Sequence, residues 1–189
     1  MTNNANFSVA FSTGKNVKDT RLKHKEFSLK ELNELFSKPE VRGRLSFLEY
    51  HKAPKEIQVP QKDGPCFLPG AISGVGRRKE SVKKLYAFVM DFDSGRVNAG
   101  IIKSKLREYL FFAHTSYSHS EACEKWRVVI PYHVPIPAEE HIHIYTHFNQ
   151  IFDGELDAAC KKPAQIYFLP SCPPEGEKFF KFIKNYEII

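Results

Sequence analysis

Apolar and polar positions along the chain follow two periods that take turns. "NFSVAFST" alternates at period two and predicts an early strand, while "TGKNVKDTRLKHKE" is polar throughout and reads as loop. "SLKELNELF" predicts a short helix: Ser28 is its N-cap, Glu31 completes a capping box, and Leu32, Leu35 and Phe36 turn inward at helical spacing. Between 40 and 76 Pro and Gly become frequent and the periodicity fades. Beyond "GVGRRKESVKK" it returns, with a strand over 85–93, a turn at "DSGRV", and a helix over 99–109 capped by Asn98. "YLFFAHTSYSH" and "KWRVVIPY" read as the next strands, "AEEHIHIYTHFNQIF" as a helix, "AQIYFLPS" as a fourth strand and "KFFKFI" as a fifth. Helices alternating with strands imply a sheet with helices packed on it, of α/β or α+β type.

Bulk properties narrow the partners. At 189 residues the chain suits one domain with a sizeable core, and 28 Lys and Arg against 22 Asp and Glu give a net charge of +6, a lean toward polyanions. Cys66, Cys123, Cys160 and Cys172 form no CxxC pair or zinc-ribbon spacing, and "MTNNANFSVAF" lacks the basic-then-apolar pattern of a secretion signal. A reducing, cytoplasmic setting is expected, with no membrane role, because no run approaches the roughly 18 apolar residues of a spanning helix.

The candidate chemistry begins at "YAFVMDFDSG". On a strand Asp91 and Asp93 share a face while Phe92 takes the other. Two like charges so close suit a divalent cation, whereas an Asp-Ser-Gly turn beside one solvated aspartate is the plain alternative, and these residues alone leave both open. Ser116, Ser118 and His119 stand just past a strand, where they suit phosphate oxygens or simply a polar loop. Lys125 and Arg127 flank Trp126, so both cations share a face, as a phosphate-facing pair or as a solvated edge. Asp157, ahead of a later strand, is a possible third carboxylate or a loop residue. His141 and His143 have the His-x-His spacing of rolling-circle nickases, but Pro137, Glu139 and Glu140 announce a helix, on which residues two apart diverge by about 200°.

Taken in order, "RRKESVKKLYAFVMDFDSG", "FAHTSYSHS", "KWRVVIPYHVPIPAEE" and "LDAACKKPAQIYFLPSCP" resemble the archaeo-eukaryotic primase (AEP) superfamily, specifically the primase-polymerase domains of plasmids, phages and integrated elements. The resemblance implies an α+β fold: an RRM-like antiparallel sheet with packed helices over about 81–189, joined to an N-terminal α/β module over about 1–80. It implies that Asp91, Asp93 and Asp157 ligate two Mg²⁺ or Mn²⁺ ions and that His119 contacts nucleotide phosphates. It further implies phosphate contacts from Ser116, Ser118, Lys125 and Arg127, and nucleotide or template contacts from Arg77 and Arg78. The activity implied is primer synthesis or extension on single-stranded DNA from NTPs or dNTPs, by a free-standing enzyme or by the front domain of a primase-helicase with a replicative helicase as partner. Two positions depart from the family: Tyr117, two before His119, stands where its motif of a small residue, any residue and His has the small residue, and Gln165 stands where relatives often carry Arg. They leave a non-catalytic replication-initiation or nucleic-acid-binding module as the alternative, with the histidine nickase third.

Overall fold

In the computed structural model, which describes residues 7–72 and 79–186, the chain folds as α+β, with two antiparallel sheets sharing one continuous apolar core. The first sheet contains β1 (Ser8–Gly14), β2 (Lys23–Ser28), β4 (Cys66–Leu68) and β9 (Tyr167–Phe168), in the order β2-β1-β4-β9. The second contains β5 (Gly70–Ile72), β6 (Val82–Phe92), β7 (Phe111–Thr115), β8 (Trp126–Pro137) and β11 (Phe182–Asn185), in the order β11-β7-β8-β6-β5. A short parallel pair joins β3 (Glu40–Val41) to β10 (Ser171–Cys172). The helices are α1 (Leu29–Ser37), α2 (Phe47–Lys52), α3 (Lys55–Gln61), α4 (Ala99–Lys105) and α5 (His141–Ile151).

The capping box at α1 forms as its residues dictate: Glu31 N–H donates to Ser28 Oγ at 3.3 Å and Ser28 N–H donates to Glu31 Oε2 at 2.8 Å. Ser46 and Glu49 repeat the device at α2. Phe88 and Phe92, on one face of β6, pack against Phe148 and Phe152 at α5. On the other face of the five-stranded sheet, Phe36 of α1 packs on Phe112 and stacks on His114 of β7. Apolar burial on both faces of the central strands supplies the main driving force for the fold.

Several expectations shift. Part of the polar stretch read as loop is β2, an edge strand exposed at four of its six positions, which needs little apolar alternation. The helix expected over 99–109 stops at Lys105, and "AQIYFLPS" forms no single strand: Tyr167 and Phe168 pair with β4 of the first sheet, and Ser171 starts β10 beside β3. The segment 177–179 is a 3₁₀ turn, so the last strand starts at Phe182. Across the expected module boundary near residue 80 the sheets exchange strands, since β5 joins the later sheet and β9 the earlier one. Arg77 and Arg78 lie outside the described residues. The four cysteines form no disulfide, and no helix among the described residues is long and apolar enough to cross a membrane.

Candidate nucleotide pocket

The register of the central strands assembles the site. Asp91 of β6 pairs with Arg127 of β8, which pairs with His114 of β7, so these three side chains stand in one row on one face. Two residues from Arg127 lies Lys125, whose carbonyl accepts the Ser116 N–H at 2.9 Å and whose Nζ sits 3.7 Å from Asp93 Oδ1. Phe92 and Trp126 point into the core on the opposite face, as strand alternation requires. The result is a pocket of about 180 Å³ lined by both aspartates, both cations, Ser116, Ser118, His114 and Lys62.

Asp91 and Arg127 form a fork: Nε to Oδ1 at 2.7 Å and Nη2 to Oδ2 at 2.9 Å, while Nη1 donates to the Phe168 carbonyl at 2.6 Å. Burial pushes the Asp91 carboxyl above its ordinary value against the pull of Arg127, and the charges of Asp93 and Asp157 push it the same way. Burial also works against the Arg127 charge, yet Asp91 holds the guanidinium above its ordinary value. Lys62, at the end of α3, is pulled down by burial and by the neighbouring charge of Lys125. Tyr50 of α2 shares a 2.7 Å hydrogen bond with Ser118, and Tyr117 donates to the Arg42 carbonyl at 2.8 Å. Tyr117, the departure from the family pattern, is therefore a buried strut tying this loop to the N-terminal half.

The structure places the two histidines of this segment differently. His119 does not line the pocket; its ring is buried beside Trp126 and its Nδ1 accepts the Lys125 N–H at 3.2 Å. His114, which carries no sequence motif of its own, does line it. Its Nδ1 lies 2.9 Å from the Thr115 carbonyl, which only accepts, so Nδ1 carries the proton and Nε2 presents a lone pair with no partner among the described residues. Burial and the nearby Arg127 charge depress the His114 pKa to about 3, keeping the ring neutral. His114 stands in β7 opposite Arg127, on the face that carries Asp91, whereas His119 follows a turn over Tyr117 and Ser118, past the end of the strand.

Asp157 also stays outside the lining. Its N–H donates to the Asp91 carbonyl at 3.0 Å, which sets it beside the first acid, but its exposed carboxylate accepts the Ala159 N–H at 2.7 Å and caps a 3₁₀ turn. Gln165 spends its side chain on the Ile166 carbonyl at 2.9 Å. His141 is buried with Nε2 at 2.8 Å from the Cys160 carbonyl, whereas His143 is exposed, so the two cannot chelate one ion.

No group of three or more His, Cys, Asp or Glu side chains among the described residues is arranged to hold a metal ion. The pocket acids nevertheless fit one kind of ion. Both are hard oxygen donors; the Arg127 fork occupies one lone pair on each Asp91 oxygen, and Asp93 is half exposed. Mg²⁺ and Mn²⁺ bind through one or two carboxylates when substrate phosphates and water complete the shell.

The family model of the VapE N-terminal domain matches residues 1–188. The chain belongs to the VapE N-terminal domain family. Among solved structures, this family member is similar to the AEP domain of the cyanophage S-2L primase-polymerase, with a TM-score of 0.47 and 10% identity over 96% of this chain and 84% of that chain. So distant a likeness transfers no residue role from one chain to the other. No match was found among curated proteins.

Proposed function

We propose that this VapE N-terminal domain is a nucleotidyltransferase of primase-polymerase type, making or extending short primers on single-stranded DNA. The observation that carries the proposal is the double row of acid and cation, Asp91 with Arg127 and Asp93 with Lys125, facing one pocket beside Ser116 and Ser118. Nucleoside triphosphates bring several negative charges. Lys62, Lys125 and the two serine hydroxyls would hold their oxygens, and Arg127 would keep Asp91 oriented. Asp91 and Asp93 would hold Mg²⁺ or Mn²⁺, which supplies charge neutralisation at the triphosphate and activation of a 3′-hydroxyl. Asp157, whose N–H meets the Asp91 carbonyl, would be the third acid by the same reading.

The test is primer synthesis from nucleotides on a single-stranded template with Mg²⁺ or Mn²⁺. Asp93→Ala is the informative variant, because that side chain is half exposed and its loss leaves the buried Arg127 pair intact. Incorporation is expected to fall by about two orders of magnitude, the scale on which one electrostatic contact to a reacting group acts. Equal product from wild type and variant would overturn the assignment. The second reading, a nucleic-acid-binding module without turnover, is favoured by the engagement of both Asp91 oxygens with Arg127. Tight template binding without metal-dependent incorporation would decide for it.

A further inference from the structure

A second concavity, about 800 Å³ in volume, opens between the loop 15–22 and β2. Lys15, Lys18, Arg21, Lys23 and Lys25 line it, with Asp19 as the one acid among the described lining residues. Asp19 is engaged locally, accepting the N–H groups of Lys15 at 3.0 Å and Arg21 at 2.9 Å. None of the five cations forms a salt bridge with a carboxylate among the described residues. The floor is apolar: Phe27 lies in the lining, with the Lys25 ammonium 4.6 Å from its ring centroid.

β2 is the edge of its sheet, and edge strands often carry lysines simply to discourage pairing with another chain. That explanation covers Lys23 and Lys25 and leaves Lys15, Lys18 and Arg21 unaccounted for. It also overlooks the placement of the strand lysines. Lys23, Lys25 and Phe27 share one face of β2, with Phe11 of β1 opposite Lys25, so the lysines continue a face that is buried core at Phe27. The groove is not isolated either. Leu169 lines both it and the nucleotide pocket, and the preceding residue, Phe168, gives its carbonyl to Arg127.

Unpaired cations around an apolar floor suit a strand that carries phosphates on one side and bases on the other. We propose that this groove binds the sugar-phosphate backbone of a single-stranded polynucleotide and leads it past Leu169 to the pocket. The binding stands on the groove alone; only its identity as the template track rests on the primase-polymerase reading.

Fluorescence anisotropy of a labelled oligodeoxythymidylate across a salt series tests it. Lys23→Ala with Lys25→Ala should weaken binding and lower the slope of log affinity against log salt by about 0.7 for each phosphate no longer neutralised. Lys18→Ala with Arg21→Ala, outside the strand, should act in the same direction, which keeps the test open if the strand variant misfolds. Lys103→Ala with Lys178→Ala removes the same charge elsewhere and should leave the slope unchanged. Unchanged binding in both groove variants would overturn the proposal, as would wild-type preference for duplex over single strand. Asp93→Ala separates the two readings: it should cripple incorporation and keep oligonucleotide affinity, so a protein that never incorporates nucleotide can still confirm or refute the groove.

Discussion

In the pocket at the end of β6, Arg127 and Lys125 each meet a carboxylate, at 2.7 and 3.7 Å, whereas the five cations around the groove beside β2 meet none among the described residues. Both regions are basic, yet they hold charge under different constraints. A buried guanidinium that lost its partner would be stranded in a medium that solvates it poorly, so the pocket keeps its charges matched and oriented. Lysines on an exposed strand stay solvated without a partner, which leaves the groove's charge available to an arriving polyanion. Matched charge favours fixed geometry, and unmatched charge favours salt-sensitive capture.

The largest expected break in this contrast is a stability effect. Arg127→Ala would leave Asp91 without its fork and should cost about 3–5 kcal/mol in denaturant unfolding, while Lys23→Ala should stay within about 0.5 kcal/mol. Similar costs for the two would mean that the pairing does not distinguish the regions. Acid is the next probe. The His114 pKa is about 3 in the fold against an ordinary 6.5, so between these values the unfolded chain binds a proton that the folded chain refuses. Stability from this group is full above pH 6.5 and should fall as pH drops, by about 1.4 kcal/mol per pH unit. His114→Phe should make the wild-type pH dependence of unfolding shallower by one proton over that window. The smallest effect is expected from Tyr117→Phe. Loss of its bond to the Arg42 carbonyl should cost about 1 kcal/mol in unfolding and leave the salt slope of oligonucleotide binding unchanged, since it sits in the pocket loop.

What is legible in the chain follows from how local each cause is. Strand alternation fixes Asp91 with Asp93, and Lys125 with Arg127, on one face each, and both pairs line the pocket. The box at Ser28 and Glu31 opens α1 as its residues require, and the same Ser-x-x-Glu signal at Ser46 announces α2 inside a stretch where apolar periodicity fades. His114 enters the pocket row through its register with Arg127, a pairing between distant segments, and the histidine motif of the resembling family points to His119 instead. Lys62 is not readable, because it reaches the pocket from the end of α3, far along the chain from the strands it faces. β2 escapes the pattern because an edge strand has little to bury, and the partner of β9 is chosen by a pairing roughly a hundred residues away in sequence, Cys66 with Phe168.

One junction ties the two regions together. β2 ends at Ser28 and α1 begins at Leu29, with no residue between them, and α1 seats Phe36 against Phe112 and His114. The strand carrying the groove lysines thus runs without slack into the helix that backs the pocket row. Such a joint acts as a ruler: the span from groove to pocket is set by covalent geometry and packing, so a polynucleotide bound as proposed in the groove would meet the pocket in a constant register.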